Sequence, residues 1–244
     1  MEKEELLNAI RGGLVVSCQA RQGWPMYGTD IMVAFAKAAK QGGAVGIRAT
    51  EPQNISAIKK AVDLPIIGIY KQWFEGFDVY ITPTYESAAA VIEAGAEIVA
   101  LDGTKRIRPN GENLKEIIAR IHDNYPDILV MSDCDNLESA LYAEECGTDI
   151  VSTTLSGYTE ETKDQNSFNY EFVSALKKSC ESSNYSRGHI STPEELVSAY
   201  KSGADSVVVG SAITRPEIIT KRFVDNLEQL KKENHLGGSQ CVLD

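Results

Sequence analysis

The stretch "SSNYSRGH", residues 182–189, lies where the surrounding pattern calls for a buried strand, yet its composition argues against one. A strand covered on both faces normally reads as a near-continuous run of Val, Ile and Leu, while Gly and Asn are depleted in strands. The chain supplies such apolar runs elsewhere, at 14–18, 44–48, 65–70, 98–102, 128–133, 150–154 and 206–211. Helical patterns separate them, at 29–40, 52–61, 86–94, 112–124, 137–145, 170–179, 193–201 and 216–232. Capping signals agree: in "TPEE", Thr192 is a helix N-cap, Pro193 takes the first helical position and Glu195 completes a capping box.

A repeat resolves the conflict at 182–189. "QGGAVGI" (41–47), "EAGAEIV" (93–99), "ECGTDIV" (145–151) and "KSGADSV" (201–207) share one order of helix end, glycine, small residue and strand. Gly43, Gly95, Gly147 and Gly203 stand 52, 52 and 56 residues apart, too far for one βα unit and right for two. These motifs lead into the even-numbered strands. The odd strands are 14–18, 65–70, 128–133 and one that must fall on "SSNYSRGH". Eight such units predict an α/β fold of the TIM (β/α)8 barrel class, one domain over 1–244. A doubly wound open sheet is the alternative, but no GxGxxG follows the first strand. Residues 1–11 read as a helical extension, 72–84 as a long loop at the rim, and 235–244 as a frayed tail.

Composition excludes several classes of function. The 244-residue chain carries a net charge of −11 with no dominant Lys/Arg block, so it lacks the footprint of a nucleic-acid binder. Its apolar runs are too short to span a bilayer, and "MEKEELLNAI" is unlike a signal peptide. Cys18, Cys134, Cys146, Cys180 and Cys241 form no CxxC pair, which fits reduced thiols in the cytoplasm. His122, His189 and His235 are far apart in sequence, so no metal site of usual spacing is expected.

Ligands of such barrels meet the C-terminal strand ends. The residues expected there are Gln19 after strand 1, Arg48 ending strand 2, Lys71 after strand 3, Asp102 ending strand 4 and Asp133 ending strand 5. Thr154 ends strand 6, strand 7 offers Arg187, Gly188 and His189, and strand 8 ends in Gly210 and Ser211. Any one of these is commonly a solvated loop residue or a helix cap. Together, a lysine, two arginines and two aspartates at one rim suit an anionic, oxygen-rich small molecule. Gly188, Gly210 and Ser211 leave backbone N–H groups open for a phosphate, and Arg215 can add a charge-assisted contact. Lys71 suits a proton-transfer base, a Schiff-base nucleophile or a phosphate clamp, and spacing does not choose among them.

The motifs "LVVSCQA", "GGAVGIRA", "LPIIGIYK", "ITPT", "ALDGT", "RPNGENL", "TTLSGYT" and "VVVGSAITRPEIITKRF" run in order from about residue 12 to 224. In these the chain resembles the N-acetylmannosamine-6-phosphate 2-epimerases of bacterial sialic-acid catabolism. The resemblance implies a TIM barrel acting without a cofactor on a phosphorylated amino sugar, with a homodimer as the expected assembly. It makes Lys71 the proton-transfer residue, with Gln19, Arg48 and Asp133 touching substrate and Arg215 holding phosphate.

The likeness has departures. Where the family carries a catalytic glutamate, this chain has Arg187, and "IRAT" and "MSDC" stand for "IRAN" and "MADI". A guanidinium stays protonated, so Arg187 cannot serve as a base. The readings left open are an epimerase whose second proton carrier is Asp133 or His189, an isomerase or lyase for a more anionic phosphosugar, and a phosphosugar-binding protein without the acid/base pair.

Overall fold

A computed structural model of the chain describes residues 2–165, 167–188 and 190–233, with Ser186, Arg187 and Glu233 described by their backbone alone. His189 and the tail after residue 234 lie outside the described residues. The strands are β1 (Leu14–Cys18), β2 (Gly46–Thr50), β3 (Ile66–Ile69), β4 (Ile98–Asp102), β5 (Leu129–Asp133), β6 (Ile150–Ser152), β7 (Ser183–Arg187) and β8 (Ser206–Val209). They form a closed parallel barrel in sequence order. Closure comes from β1 on β8, with Leu14, Val15 and Val16 opposite Val207, Val208 and Val209.

The helices are α1 (Lys3–Ile10), α2 (Thr29–Gln41), α3 (Pro52–Ala61), α4 (Tyr85–Glu93), α5 (Leu114–Asn124), α6 (Leu137–Glu145), α7 (Tyr170–Ser179), α8 (Pro193–Lys201), α9 (Ser211–Thr214) and α10 (Pro216–Glu233). The repeat glycines are required by backbone geometry: Gly43, Gly95, Gly147 and Gly203 have φ of 90°, 109°, 94° and 106°. An L side chain rarely adopts this conformation, and here it turns each helix into the next strand. The capping box at α8 also forms, with Glu195 N donating to Thr192 Oγ1 at 3.2 Å and Thr192 N to Glu195 Oε2 at 3.2 Å.

The polar segment at 183–187 is a strand because both its neighbours pair with it. Ser183, Asn184 and Tyr185 face Ile150, Val151 and Ser152, while Tyr185, Ser186 and Arg187 face Ser206, Val207 and Val208. Tyr185 puts the strand's large apolar surface into the barrel interior at 1 % exposure. Asn184 Nδ2 donates to Val173 O on α7 at 3.2 Å, so a polar group serves on the helix-facing side.

Several strand boundaries differ from expectation, the second strand's with most consequence. The second strand was expected at 44–48 but spans Gly46–Thr50. The cause is the helix end: Ala44 N still donates to Ala39 O at 3.0 Å, and the ladder begins only with Val45 N on Leu14 O. Arg48 therefore stands inside β2 and Thr50 ends it. The sixth and eighth strands stop early as well, at Ser152 and Val209, so Thr154 and Gly210 lie beyond them and Ser211 opens α9.

Alternate residues divide between two cores, as the period of a strand requires. Val15, Ile67, Ile98, Leu129, Ile150 and Val208 fill the interior, while Val16, Ile66, Val99, Val130 and Val151 face the helices. Leu6 and Ile10 of α1 join the interior cluster. Ile10 lies against the start of β2, with its Cγ2 3.3 Å from where a Gly46 Cβ would stand. Helix α1 is thus the plug of the N-terminal mouth, and the open end is the one at the strand C-termini. Replacing Ile10, which is fully buried, by Ala is expected to lower unfolding stability by about 2–5 kcal/mol. Urea denaturation checks this as a lower midpoint with the slope unchanged.

Candidate functional site

Two joined hollows open at the C-terminal end of the barrel. The larger, of about 320 Å3, is lined by Gln19, Lys71, Thr154, Gly188, Gly210, Ser211 and Arg215 among the residues named from the sequence. Ser17, Arg21, Trp24, Tyr80 and Tyr158 line it too. The smaller, of about 250 Å3, shares Tyr158, Gly188, Gly210 and Ser211 and adds Ile190, Ser191, Val208, Ile218 and Arg222.

Lys71 reaches this space through a return of the chain rather than from the strand itself. Strand β3 stops at Ile69, and the following loop folds back so that Lys71 pairs with Ile81 in an antiparallel bridge. Thr82 N donates to Tyr70 O at 2.8 Å and Gln72 N to Tyr80 O at 3.0 Å. Thr82 Oγ1 then donates to Ala100 O of β4 at 2.7 Å, which pins the return to the barrel. The lysine is half-buried against this rigid support.

Gln19 follows β1, and its Nε2 donates to Ser17 Oγ at 2.9 Å. Its Oε1 is buried without a hydrogen-bond partner among the described residues, a cost unless something else supplies a donor. Gly188 has φ 104°, which accounts for glycine at the end of β7. Gly210 precedes α9, and a Cβ there would lie 3.3 Å from Ser17 Cβ.

A ladder of rings and guanidinium groups crosses the rim. Trp73 stacks on Tyr80 with centroids 5.6 Å apart and planes 6° from parallel. Arg21 lies 5.2 Å from the Trp73 ring and 5.6 Å from the Trp24 ring. Arg215 lies over the Trp24 ring at 3.7 Å, and its Nε donates to Glu217 Oε1 at 2.7 Å. The Arg215 hydrogen bond holds the Glu217 carboxyl below its usual range.

Three residues named from the sequence are engaged elsewhere. Arg48 and Asp133 meet inside the barrel, with Nη1 to Oδ1 at 3.1 Å and Nη2 to Oδ2 at 2.5 Å, and both side chains are 0 % exposed. Asp102 is also fully buried. Its Oδ1 accepts from Thr104 N at 3.0 Å and Thr104 Oγ1 at 2.6 Å, and its Oδ2 from Arg106 at 2.5 Å. Neither aspartate nor Arg48 lines the larger hollow. Of Arg187 only the backbone is described, and His189 lies outside the described residues.

The electrostatic outcome follows from these pairings. Lys71, Arg21 and Arg215 line the larger hollow, and no carboxylate among the described residues does so. A chain of net charge −11 thus presents a cationic pocket at its open end. Sequence reasoning missed Arg21, Trp24, Tyr80, Tyr158 and Arg222. The loop 72–84, placed at the rim, was the usable signal for Tyr80; the others sit in loops and on a helix where no strand end points to them.

Residues 32–229 match the family model described as "Putative N-acetylmannosamine-6-phosphate epimerase". A protein of Caldanaerobacter subterraneus subsp. tengcongensis, described as "Putative N-acetylmannosamine-6-phosphate 2-epimerase", is 46% identical over 230 residues, 94% of this chain and 97% of that one. A Listeria welshimeri protein of the same description is 47% identical over 232 residues, 94% of this chain and 97% of that one. Among solved structures, the N-acetylmannosamine-6-phosphate 2-epimerase from Clostridium perfringens superposes with a TM-score of 0.87 at 46% identity, covering 90% of this chain and 95% of that one. The thiamine phosphate pyrophosphorylase of Pyrococcus furiosus, at TM-score 0.57 and 18% identity over 86% of this chain and 89% of that one, shares the fold.

The buried pair gives a direct test of the interior. Asp133→Asn leaves the Arg48 charge uncompensated and is expected to cost about 3–5 kcal/mol, whereas replacing both partners by apolar residues costs far less. Chemical denaturation of Asp133→Asn beside the double variant Arg48→Met/Asp133→Leu reads the difference.

Proposed function

The chain belongs to the N-acetylmannosamine-6-phosphate epimerase family, and we propose that it interconverts N-acetylmannosamine 6-phosphate and N-acetylglucosamine 6-phosphate. The observation that carries this reading is the joint lining of one hollow by Lys71, Arg21, Arg215 and the Gly188 and Gly210–Ser211 turns, without a carboxylate among the described residues. An amine that can carry a proton and a cradle for phosphate are both needed, and they lie within one small sugar's reach.

Carbon 2 of the open-chain sugar lies beside the C1 aldehyde, so its proton is acidic enough for a positioned base. Lys71, in its neutral form, takes that proton. The electron pair moves onto the C1 oxygen, and the surrounding cations stabilise the enolate charge in a partly closed site. Returning a proton to the opposite face inverts the centre. Arg187, standing where the family has glutamate, stays protonated and cannot exchange the proton. Asp133 has both oxygens committed to Arg48. The return is therefore assigned to His189, two residues beyond Arg187, because an imidazole can both give and take a proton. No step requires a cofactor.

Two further attributes belong to this reading. The protein works in the cytoplasm, a reading supported by the free thiols of Cys18, Cys134, Cys146 and Cys180. Among the described residues no helix is long and apolar enough to cross a membrane. It acts as a homodimer, a reading supported by Phe223, Val224, Leu227 and Leu230, which share one face of α10 and are exposed by 76%, 48%, 52% and 45%.

Incubation with N-acetylmannosamine 6-phosphate in heavy water, followed by NMR at carbon 2, is expected to yield the epimer with deuterium incorporated. Lys71→Ala is expected to abolish exchange, and His189→Gln to retain exchange while losing epimer formation. Binding without any exchange by the unaltered protein would overturn the enzymatic reading. Light scattering is expected to give the mass of a dimer, and Phe223→Asp/Leu227→Asp the mass of a monomer.

A further inference from the structure

Direct pairing between β3 and β4 is short, with Ile67 and Gly68 opposite Ile98 and Val99. Beyond it, the returning chain at 80–82 enters between the two strands. Ile81 bridges to Lys71 on one side, and its carbonyl accepts from Asp102 N at 3.1 Å on the other. We infer that Thr82, in this returning segment, is the positioning residue of Lys71: it holds the lysine's backbone so that the amine meets carbon 2, an inference that rests on the epimerase reading above.

Thr82 is fully buried, and its hydroxyl joins the two sides of the gap. Its Oγ1 accepts from Tyr70 N at 3.1 Å and donates to Ala100 O of β4 at 2.7 Å. Its backbone N donates to Tyr70 O at 2.8 Å, and Gln72 N donates to Tyr80 O at 3.0 Å. Both chain neighbours of Lys71 are thus tied down, and Tyr70 is held at its N–H and its C=O by Thr82 alone. A hydroxyl suits this place because it accepts and donates at once. An amine on a flexible four-carbon stem keeps its direction only when the backbone beneath it is fixed.

The backbone of Thr82 points the same way. Its φ is 45°, a left-handed conformation that a β-branched residue rarely adopts. Thr82 also precedes Pro83, and a residue before proline is pushed toward extended backbone. Such a conformation persists only where the surroundings over-determine it. Arg108, itself buried, supplies a second fixation by donating to Pro83 O at 3.3 Å and to Asp102 O. Glycine would take this backbone without strain. A threonine in its place points to the hydroxyl as the group the position requires.

The test compares Thr82→Val, Thr82→Gly and Thr82→Ser by steady-state kinetics and by amide hydrogen exchange read by mass spectrometry. Thr82→Val deletes the hydroxyl and keeps the shape. Thr82→Gly deletes it as well, but relaxes the backbone, which offsets the lost hydrogen bonds and keeps the protein folded. Both deletions are expected to lower kcat by about 10- to 100-fold, the cost of a misplaced catalytic group. KM should change by less than about 3-fold, since binding is left in place. Proton exchange at carbon 2 should fall with kcat, and the amides of Tyr70 and Gln72 should exchange faster. Thr82→Ser should restore kcat and the slow amide exchange. A parental kcat in Thr82→Gly, a Thr82→Ser as slow as Thr82→Gly, or a raised KM with kcat unchanged overturns the assignment. If the unaltered protein turns over no sugar, the epimerase reading falls and amide exchange decides separately: faster exchange at Tyr70 and Gln72 in Thr82→Gly upholds Thr82 as the support of the Lys71 segment, and unchanged exchange removes it.

Discussion

Pairing of β1 with β8 is the constraint on which the molecule depends. With Leu14, Val15 and Val16 set opposite Val207, Val208 and Val209, the sheet has no edge, and every strand's alternate residues become either interior or helix-facing. An edgeless sheet tolerates a strand as polar as Ser183–Arg187 because its backbone groups are paired on both sides. It also encloses a narrow interior, which Ile67, Ile98, Leu129, Ile150 and Tyr185 fill and which Leu6 and Ile10 plug from below.

Above that apolar filling the interior turns polar, and its acids are withdrawn from the open end. Asp133 is taken by Arg48, Asp102 by Thr104 and Arg106, and Glu217 by Arg215. What faces the hollow is therefore the amine of Lys71 and the guanidinium of Arg21, with Arg215 held between Trp24 and Glu217. An acidic protein acquires a cationic pocket by internal pairing rather than by composition. Chemistry on a phosphorylated sugar needs that local field, because net charge acts over long distances while binding is decided within a few ångströms.

Much of the fold was legible in the chain because two local rules repeat. Glycine at positive φ ends the helices before the even strands, and the spacing of those glycines demanded a strand within 182–189 that residue preferences alone would deny. The boundary of β2 was not legible, since Ala44 closes the preceding helix before the ladder begins. That shift carries Arg48 from the rim into the interior. The site divides in the same way: Gln19, Lys71, Thr154, Gly188, Gly210, Ser211 and Arg215 share a hollow, and all but Arg215, which follows α9, come just after a strand in the chain. Arg21, Trp24 and Arg222 arrive from a loop and a helix, and no periodicity marks them.

The sequence by itself determined the number of βα units and the identity of the polar seventh strand, because these follow from local backbone geometry and spacing. Tertiary structure alone decided which charges neutralise one another. Arg48 and Asp133 are 85 positions apart and meet only when the barrel closes, whereas Arg215 and Glu217 lie close in the chain and pair at the rim. Electrostatic partnership depends on distances of a few ångströms, and those exist only in the folded chain.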